Sequence, residues 1–327
     1  MIFVTGGTGL VGRHVIQELV ARGERVTALV RSGEGAEFVR RIGAEAVRGT
    51  VEQPGTWTAL TDCRAVVHAA AVIDAPGGWR VYQNPNVEGT RLGASRAREL
   101  EIPFVHVSSI AVYAEGVGDR LHGSVSEAAP LGSRDAGPRY GRSKRQAEDA
   151  VRAEMSRGLA AVILRPCAIY GEGDRLFLPT VIRHARRGYL PLVGNGRLPL
   201  AMVHARSVAE VAVAALASPA ARGRTYHVTE DNEISGEEFV AAFAEGLGLP
   251  IKVVRVPEPV ALMAAKTADL FRAMTGGGSP GYRSAVRFLK GGNPYSSAAA
   301  RQELGWQASV KHREALPATI RRLAGSR

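Results

Sequence analysis

The chain has 327 residues and 45% hydrophobic content, enough for one large domain or two intimate ones, and its net charge is +11. The arginines are scattered, with no long basic run and no nucleic-acid-reading motif, so the charge is read as solvated surface that also draws in an anionic cofactor, not as a nucleic-acid site. Two distant cysteines, Cys63 and Cys167, exclude a disulfide framework or a zinc site and fit a reducing cytoplasm.

The opening "MIFVTGG" is apolar at once and lacks the basic start of a secretory leader. "IFVTGGTGLVG" reads as a buried strand and a glycine turn, followed by the helix "RHVIQELVARG". "RVTALVRSG" is a second strand, "AEAVRGT" a third, "WTALTDC" a helix and "AVVHAAA" a fourth strand, apolar throughout as a parallel strand covered on both faces is. "PNVEGTRLGASRARELEI" is helical, and "PFVHVSSIAVYA" is a fifth strand. "PRYGRSKRQAEDAVRAEMSRG" is a long helix leading to the strand "AAVILRP". This alternation predicts an α/β fold, a doubly wound parallel Rossmann sheet over 1–165, with a smaller C-terminal α/β substrate lobe over 166–327. Some segments of the second half are expected to return to the first domain. After Pro166, Gly- and Pro-rich loops appear, with a short strand "TYHVT" and the segment 276–281, "GGGSPG". The apolar stretch 259–275 is broken by Lys266 and Asp269 and is too short to span a bilayer; it reads as an amphipathic helix, with contact to a membrane surface as the alternative.

Gly6, Gly9 and Gly12 stand at G-x-x-G-x-x-G spacing between the first strand and first helix. Glycines there permit a tight turn, close approach of pyrophosphate and close helix–strand packing, and the helix start offers free N–H groups. Leu10 and Val11 in the same turn, Ala69 after the fourth strand and Pro166 at the end of the sixth complete the expected cofactor contacts. An NAD-binding strand 2 ends in an acid; here it ends in Arg31, whose guanidinium suits a 2′-phosphate, with Arg13 able to help. NADP is therefore expected ahead of NAD, a solvated loop arginine being the competing reading of Arg31.

"YGRSK" places Tyr140 one helical turn before Lys144, and the fifth strand delivers Ser108 and Ser109 to the ligand-binding edge of the sheet. A lysine ammonium and an oxidised nicotinamide would together lower the pKa of the phenol. Tyr140 would then exchange a proton with a substrate oxygen, Ser109 donating to the same oxygen. Together with "HAAA", "NVEGT", "VSSIAVY" and "RPCAIYGEGD", these residues make the chain resemble the extended short-chain dehydrogenase/reductases, almost from end to end. The resemblance implies Tyr140 as proton donor or acceptor, Lys144 as its pKa modulator and ribose contact, Ser109 (four before Tyr113) as the catalytic serine, and Asn86 as the structural asparagine of the active site. It also implies a homodimer through a helix pair that includes 138–157. Thr50 stands where the family places an aspartate near the adenine. His68, His106 and Cys167 read as packing residues, and His204 is a candidate for facing the substrate.

Within that family, dehydratases follow the catalytic hydroxyl with Asp-Glu, where this chain has Ile110-Ala111. Nucleotide-sugar enzymes often grip the diphosphate with an arginine where this chain has Leu200, beside Ala201 and Met202, though Arg197 is near. "RPCAIYGEGDRLFLPTVIRHARRG" and "TYHVTEDNEISGEEFVAAFAEGLGLP" resemble the branch of 3β-hydroxysteroid dehydrogenases and β-keto acid reductases. The expected function is an NADP(H)-dependent ketone reductase or secondary alcohol dehydrogenase acting on a hydrophobic molecule. Reduction is the expected direction because cells keep NADP reduced. A sugar or nucleotide-sugar epimerase and a non-catalytic NADP-binding sensor stay open as alternatives.

Overall fold

The computed structural model describes residues 1–113, 125–230, 234–274 and 282–325. Segment 276–281 and the end of the fifth predicted strand, Ala114, lie outside them. Seven parallel strands form the central sheet: β1 (Ile2–Thr5), β2 (Val26–Val30), β3 (Glu45–Arg48), β4 (Ala65–His68), β5 (Phe104–Val107), β6 (Ala161–Pro166) and β10 (Thr225–Val228), in the order β3-β2-β1-β4-β5-β6-β10. Alternate residues of each inner strand enter opposite cores, because strand side chains have period two. Ile2, Val4, Val67, Val105 and Leu164 face one core, and Phe3, Val66, Phe104 and Ile163 face the other.

The first core is closed by α1 (Leu10–Ala21), α2 (Gly33–Arg41) and α6 (Ala205–Ala217), through Val15, Ile16, Val39 and Val208. The second is closed by α3 (Gly89–Glu99) and α4 (Arg139–Met155), through Ala94, Ala97 and Val151. The sheet order reverses between β1 and β4, so the crevice that takes a ligand opens at the carboxyl ends of these two strands.

A third core holds Tyr170, Leu178, Ile182, Leu192, Met202, Phe239, Phe243, Leu316 and Ile320. It is built from β7 (Ala168–Tyr170), α5 (Phe177–Ala185), β8 (Tyr189–Val193), β9 (Met202–His204), α7 (Gly236–Leu247) and α11 (His312–Gly325). β8 pairs with β11 (Lys252–Val256) and β7 with β9. Between β11 and α11 run α8 (Glu258–Met274), α9 (Tyr282–Lys290) and α10 (Ala298–Leu304). α8 leaves Val260 and Met263 exposed, and no helix of the described residues is long and apolar enough to cross a membrane.

Three local differences from the sequence reading have physical causes. The sequence reading has no α2 because "GEGAEFVRR" carries charges and glycines with few apolar side chains, burying only Gly35, Ala36 and Val39; Ser32 starts it by accepting from the Gly35 amide. β5 stops at Val107, short of Ser108 and Ser109, because the Ser109 hydroxyl accepts from the Ala111 amide and opens a 3₁₀ turn, Ile110–Val112. The helix read over 57–63 is instead a 3₁₀ turn, Pro54–Leu60.

Candidate active site

β1 ends in Thr5 and the chain turns at Gly6 with a φ of 73°, a conformation that glycine adopts without strain. A Cβ on Gly6 would lie 2.8 Å from the Ala70 nitrogen, and one on Gly12 would lie 2.1 Å from the Gly6 oxygen. Side chains are thus excluded at both places by neighbouring backbone. Gly9 donates its amide to the Gly6 carbonyl at 2.8 Å and begins α1 with no side chain capping the helix. The amides of the first turn, with partly exposed Leu10 and Val11, are left for a ligand. The bare turn, the uncapped helix and the reversal of strand order fit the pyrophosphate of a dinucleotide.

Arg31 is exposed directly after β2. Arg13 donates to the carbonyls of Thr8 (3.2 Å) and Gly9 (3.4 Å), and its guanidinium lies over the Phe38 ring at 4.7 Å. Burial and the Arg175 charge lower its pKa. Arg13 is thus held beside the glycine turn, while Arg31 is exposed at the carboxyl end of β2, just before α2. Ala69 packs its backbone against Gly6, and Pro166 ends β6 beside Val228. Thr50 lies in the turn after β3, its carbonyl accepting from the Gln53 amide.

At the adjoining edge, Tyr140 in the first turn of α4 hydrogen-bonds Ser109. Burial pushes the phenol up to about 12, with the Ser109 hydrogen bond opposing the rise. Lys144, 2% exposed, donates to the Val107 carbonyl at 2.6 Å, and burial pushes its pKa down to about 8 against the pull of Glu148. The protein alone thus holds Tyr140 as a phenol at neutral pH.

Asn86 sits in a π-helical turn, Gln83–Glu88, that leads into α3. Pro85 inside that turn lacks an N–H, which favours the irregular ladder. The Asn86 amide clamps residue 72 from both sides, accepting from its N–H (2.7 Å) and donating to its carbonyl (2.8 Å). It also donates to Ser143 (2.8 Å), whose hydroxyl donates to the Tyr140 carbonyl (2.7 Å). The four residues expected to carry chemistry are therefore assembled in one place.

A buried polar group underneath was not read from the sequence. Glu148 accepts from Ser108 (2.6 Å) and from both Nε (2.9 Å) and one terminal nitrogen (2.6 Å) of Arg165, all of them buried. Arg165 donates further to the Tyr113 hydroxyl (2.7 Å), which meets His227 Nε2 at 2.7 Å. The available signal was Arg165 itself: a charge in "AVILRP", a strand apolar on both faces, requires a buried partner.

Other marked residues are structural. His68 and His106 are fully buried, and burial followed by the Lys144 charge lowers both, His68 to about 3. The Cys167 thiol is pushed up to about 12 by burial. His204, a candidate for the substrate side, instead caps α6: its Nδ1 accepts from the Arg206 amide (3.1 Å), and its ring packs edge-on against Tyr170. Among the described residues there is no group of three or more His, Cys, Asp or Glu that could hold a metal ion.

The model of the NAD dependent epimerase/dehydratase family matches residues 2–229. The chain belongs to this family. It is 35% identical to the 4-hydroxy-2-methyl-3-oxo-4-farnesyl-3,4-dihydroquinoline-1-oxide ketoreductase of Stigmatella aurantiaca, over 97% of this chain and 94% of that protein. It is 30% identical to a 2-alkyl-3-oxoalkanoate reductase of Stenotrophomonas maltophilia, over 76% of each. Among solved structures, gox2253 superposes with a TM-score of 0.80 at 24% identity, covering 99% of this chain and 98% of that one. The UDP-glucuronic acid 4-epimerase of Bacillus cereus, in complex with UDP-glucuronic acid and NAD, gives 0.74 at 17% identity, covering 98% and 99%. These superpositions bear out the doubly wound fold.

Proposed function

We propose that the chain is an NADP(H)-dependent ketone reductase, with Tyr140 as the proton donor. The observation that carries this reading is the Tyr140–Ser109 hydrogen bond one helical turn from the Lys144 ammonium, beside the bare glycine turn. A bound nicotinamide dinucleotide supplies the hydride that reaches the carbonyl carbon. Ser109 donates its hydroxyl hydrogen to the carbonyl oxygen, and Tyr140 delivers the proton that completes the alcohol. A phenol held near 12 is fully protonated at neutral pH, which suits a donor. Lys144, fixed by the Val107 carbonyl, stabilises the phenolate left behind and contacts the ribose.

Arg31 and Arg13 are assigned to the 2′-phosphate, which favours NADP over NAD. The substrate is a ketone on an apolar body. Both relatives named above are reductases whose names carry an oxo group beside an alkyl or farnesyl chain. In this chain Ile73, half exposed, follows the residue clamped by Asn86, and Leu176 stands exposed after the 171–174 turn. Leu200 and Met202 are buried in the lobe core, so the position that would grip a sugar diphosphate offers no cation. The substrate lobe is assigned mainly to residues after 166, with α6 and β10 returning to the dinucleotide-binding domain. A homodimer through α3 and α4 is the proposed assembly, its contact polar because the outward residues there include Arg91, Glu99, Asp149 and Arg152.

Incubation with NADPH and a panel of 2-alkyl-3-oxoalkanoates and prenylated cyclic ketones tests the reading. One NADPH consumed per alcohol formed is the expected result. Isomerised sugar with no net change in cofactor would overturn it.

A further inference from the structure

His68 on β4 joins two parts of the site that lie on different elements. Its Nδ1 is 2.9 Å from the Thr5 hydroxyl, the residue before the glycine turn, and its Nε2 is 3.0 Å from the Thr90 hydroxyl on α3. The Ala70 amide donates to the Thr5 hydroxyl (3.1 Å), and the Thr90 hydroxyl donates to the Asn86 carbonyl (2.7 Å). One arrangement of hydrogens uses every donor. Thr90 has committed its hydrogen to Asn86, so it accepts from His68 Nε2–H; Nδ1 then accepts from the Thr5 hydroxyl, which accepts from Ala70. The opposite tautomer leaves the Thr5 hydrogen with no acceptor among these contacts, a costly state for a buried group.

We infer that His68 is a positioning residue: as the Nε2–H tautomer it ties the cofactor turn at Thr5–Gly6 to Asn86 and, through Ser143, to the start of the catalytic helix at Tyr140. The relay runs without a break from Ala70 through Thr5, His68, Thr90 and Asn86 to Ser143 and the Tyr140 carbonyl. Full burial and the nearby Lys144 charge lower the ring's pKa to about 3, so it is neutral, and its direction unchanged, across the neutral and mildly acid range. The inference rests on reading the site as a dinucleotide site, and it adds a reason why the cofactor and proton-donor halves keep register.

Two measurements on the full chain decide it. Long-range proton–nitrogen correlation of histidine-labelled protein, with His68→Gln used to assign the signal, should show a neutral Nε2–H ring at pH 7 and still at pH 5. An Nδ1–H ring, or protonation near the ordinary value, would overturn the relay. The second is a double-mutant cycle read by NADPH affinity, with folding checked by circular dichroism. Thr5→Val and Ser143→Ala do not touch each other, so independent effects should multiply to within about twofold. The relay predicts a shortfall: if the single changes weaken binding about tenfold and threefold, the double change stays near tenfold, a coupling of about threefold. Multiplying effects would overturn the inference. No binding of NADPH or NADH by the unaltered chain would overturn the dinucleotide reading instead, and the ring-nitrogen spectrum would still decide the tautomer.

Discussion

Lys144 donates to the carbonyl of Val107 at 2.6 Å, tying the helix that carries Tyr140 to the last residue of β5. The contact fixes a buried cation one turn from the phenol and immediately before the two serines. It places the charge where a phenolate would form.

Arg31 is the residue on which cofactor choice turns. Arg31→Ala should weaken NADPH about 10- to 100-fold, the usual value of a charge-assisted hydrogen bond, and leave NADH within about twofold. Tryptophan-fluorescence titration of both nucleotides checks this. An unchanged NADPH affinity would make Arg31 a solvated loop residue.

Arg165 and Glu148 are a buried pair with two hydrogen bonds, and breaking one side should be expensive. Glu148→Gln is predicted to lower stability by about 3–5 kcal/mol, because it leaves the Arg165 charge unbalanced inside the protein. The double change Glu148→Leu with Arg165→Met should recover most of that loss. Urea denaturation of the three proteins is the test, and a double variant no better than the single one would contradict it.

Acid should unfold this chain early. His68 and His204 are lowered to about 3, and His227 and His312 to about 4, each chiefly by burial. Their folded values lie below the unfolded value of about 6.5, so between the two the unfolded chain binds more protons. Stability is therefore full above pH 6.5 and falls as pH drops, by about 1.4 kcal/mol per unit for each such histidine. Denaturation midpoints at pH 7, 6 and 5 should decline steeply; a flat series would mean that the rings are solvated.

Much of this arrangement is legible in the sequence because it is local. The glycine spacing, the Tyr140–Lys144 turn and the apolar strands follow from periodicity and from single residues. What escapes is long-range or compensated. Glu148 looks like one more charge on a charged helix until its partner Arg165 arrives from β6, and Tyr113 and His227 meet from 114 positions apart. Pro85 inside a helical stretch signals an irregular turn, but not that the irregularity delivers Asn86 to residue 72. His204 stands before a helix, a place where an imidazole nitrogen serves as a cap as readily as it meets a substrate.

The most direct test compares the unaltered protein with Tyr140→Phe, measuring NADPH affinity and ketone reduction on the same samples. The account predicts affinity within about twofold and a rate reduced about 10²- to 10⁴-fold, the range for losing a general acid. A Tyr140→Phe protein that reduces ketones at an undiminished rate would contradict the assignment of the proton donor.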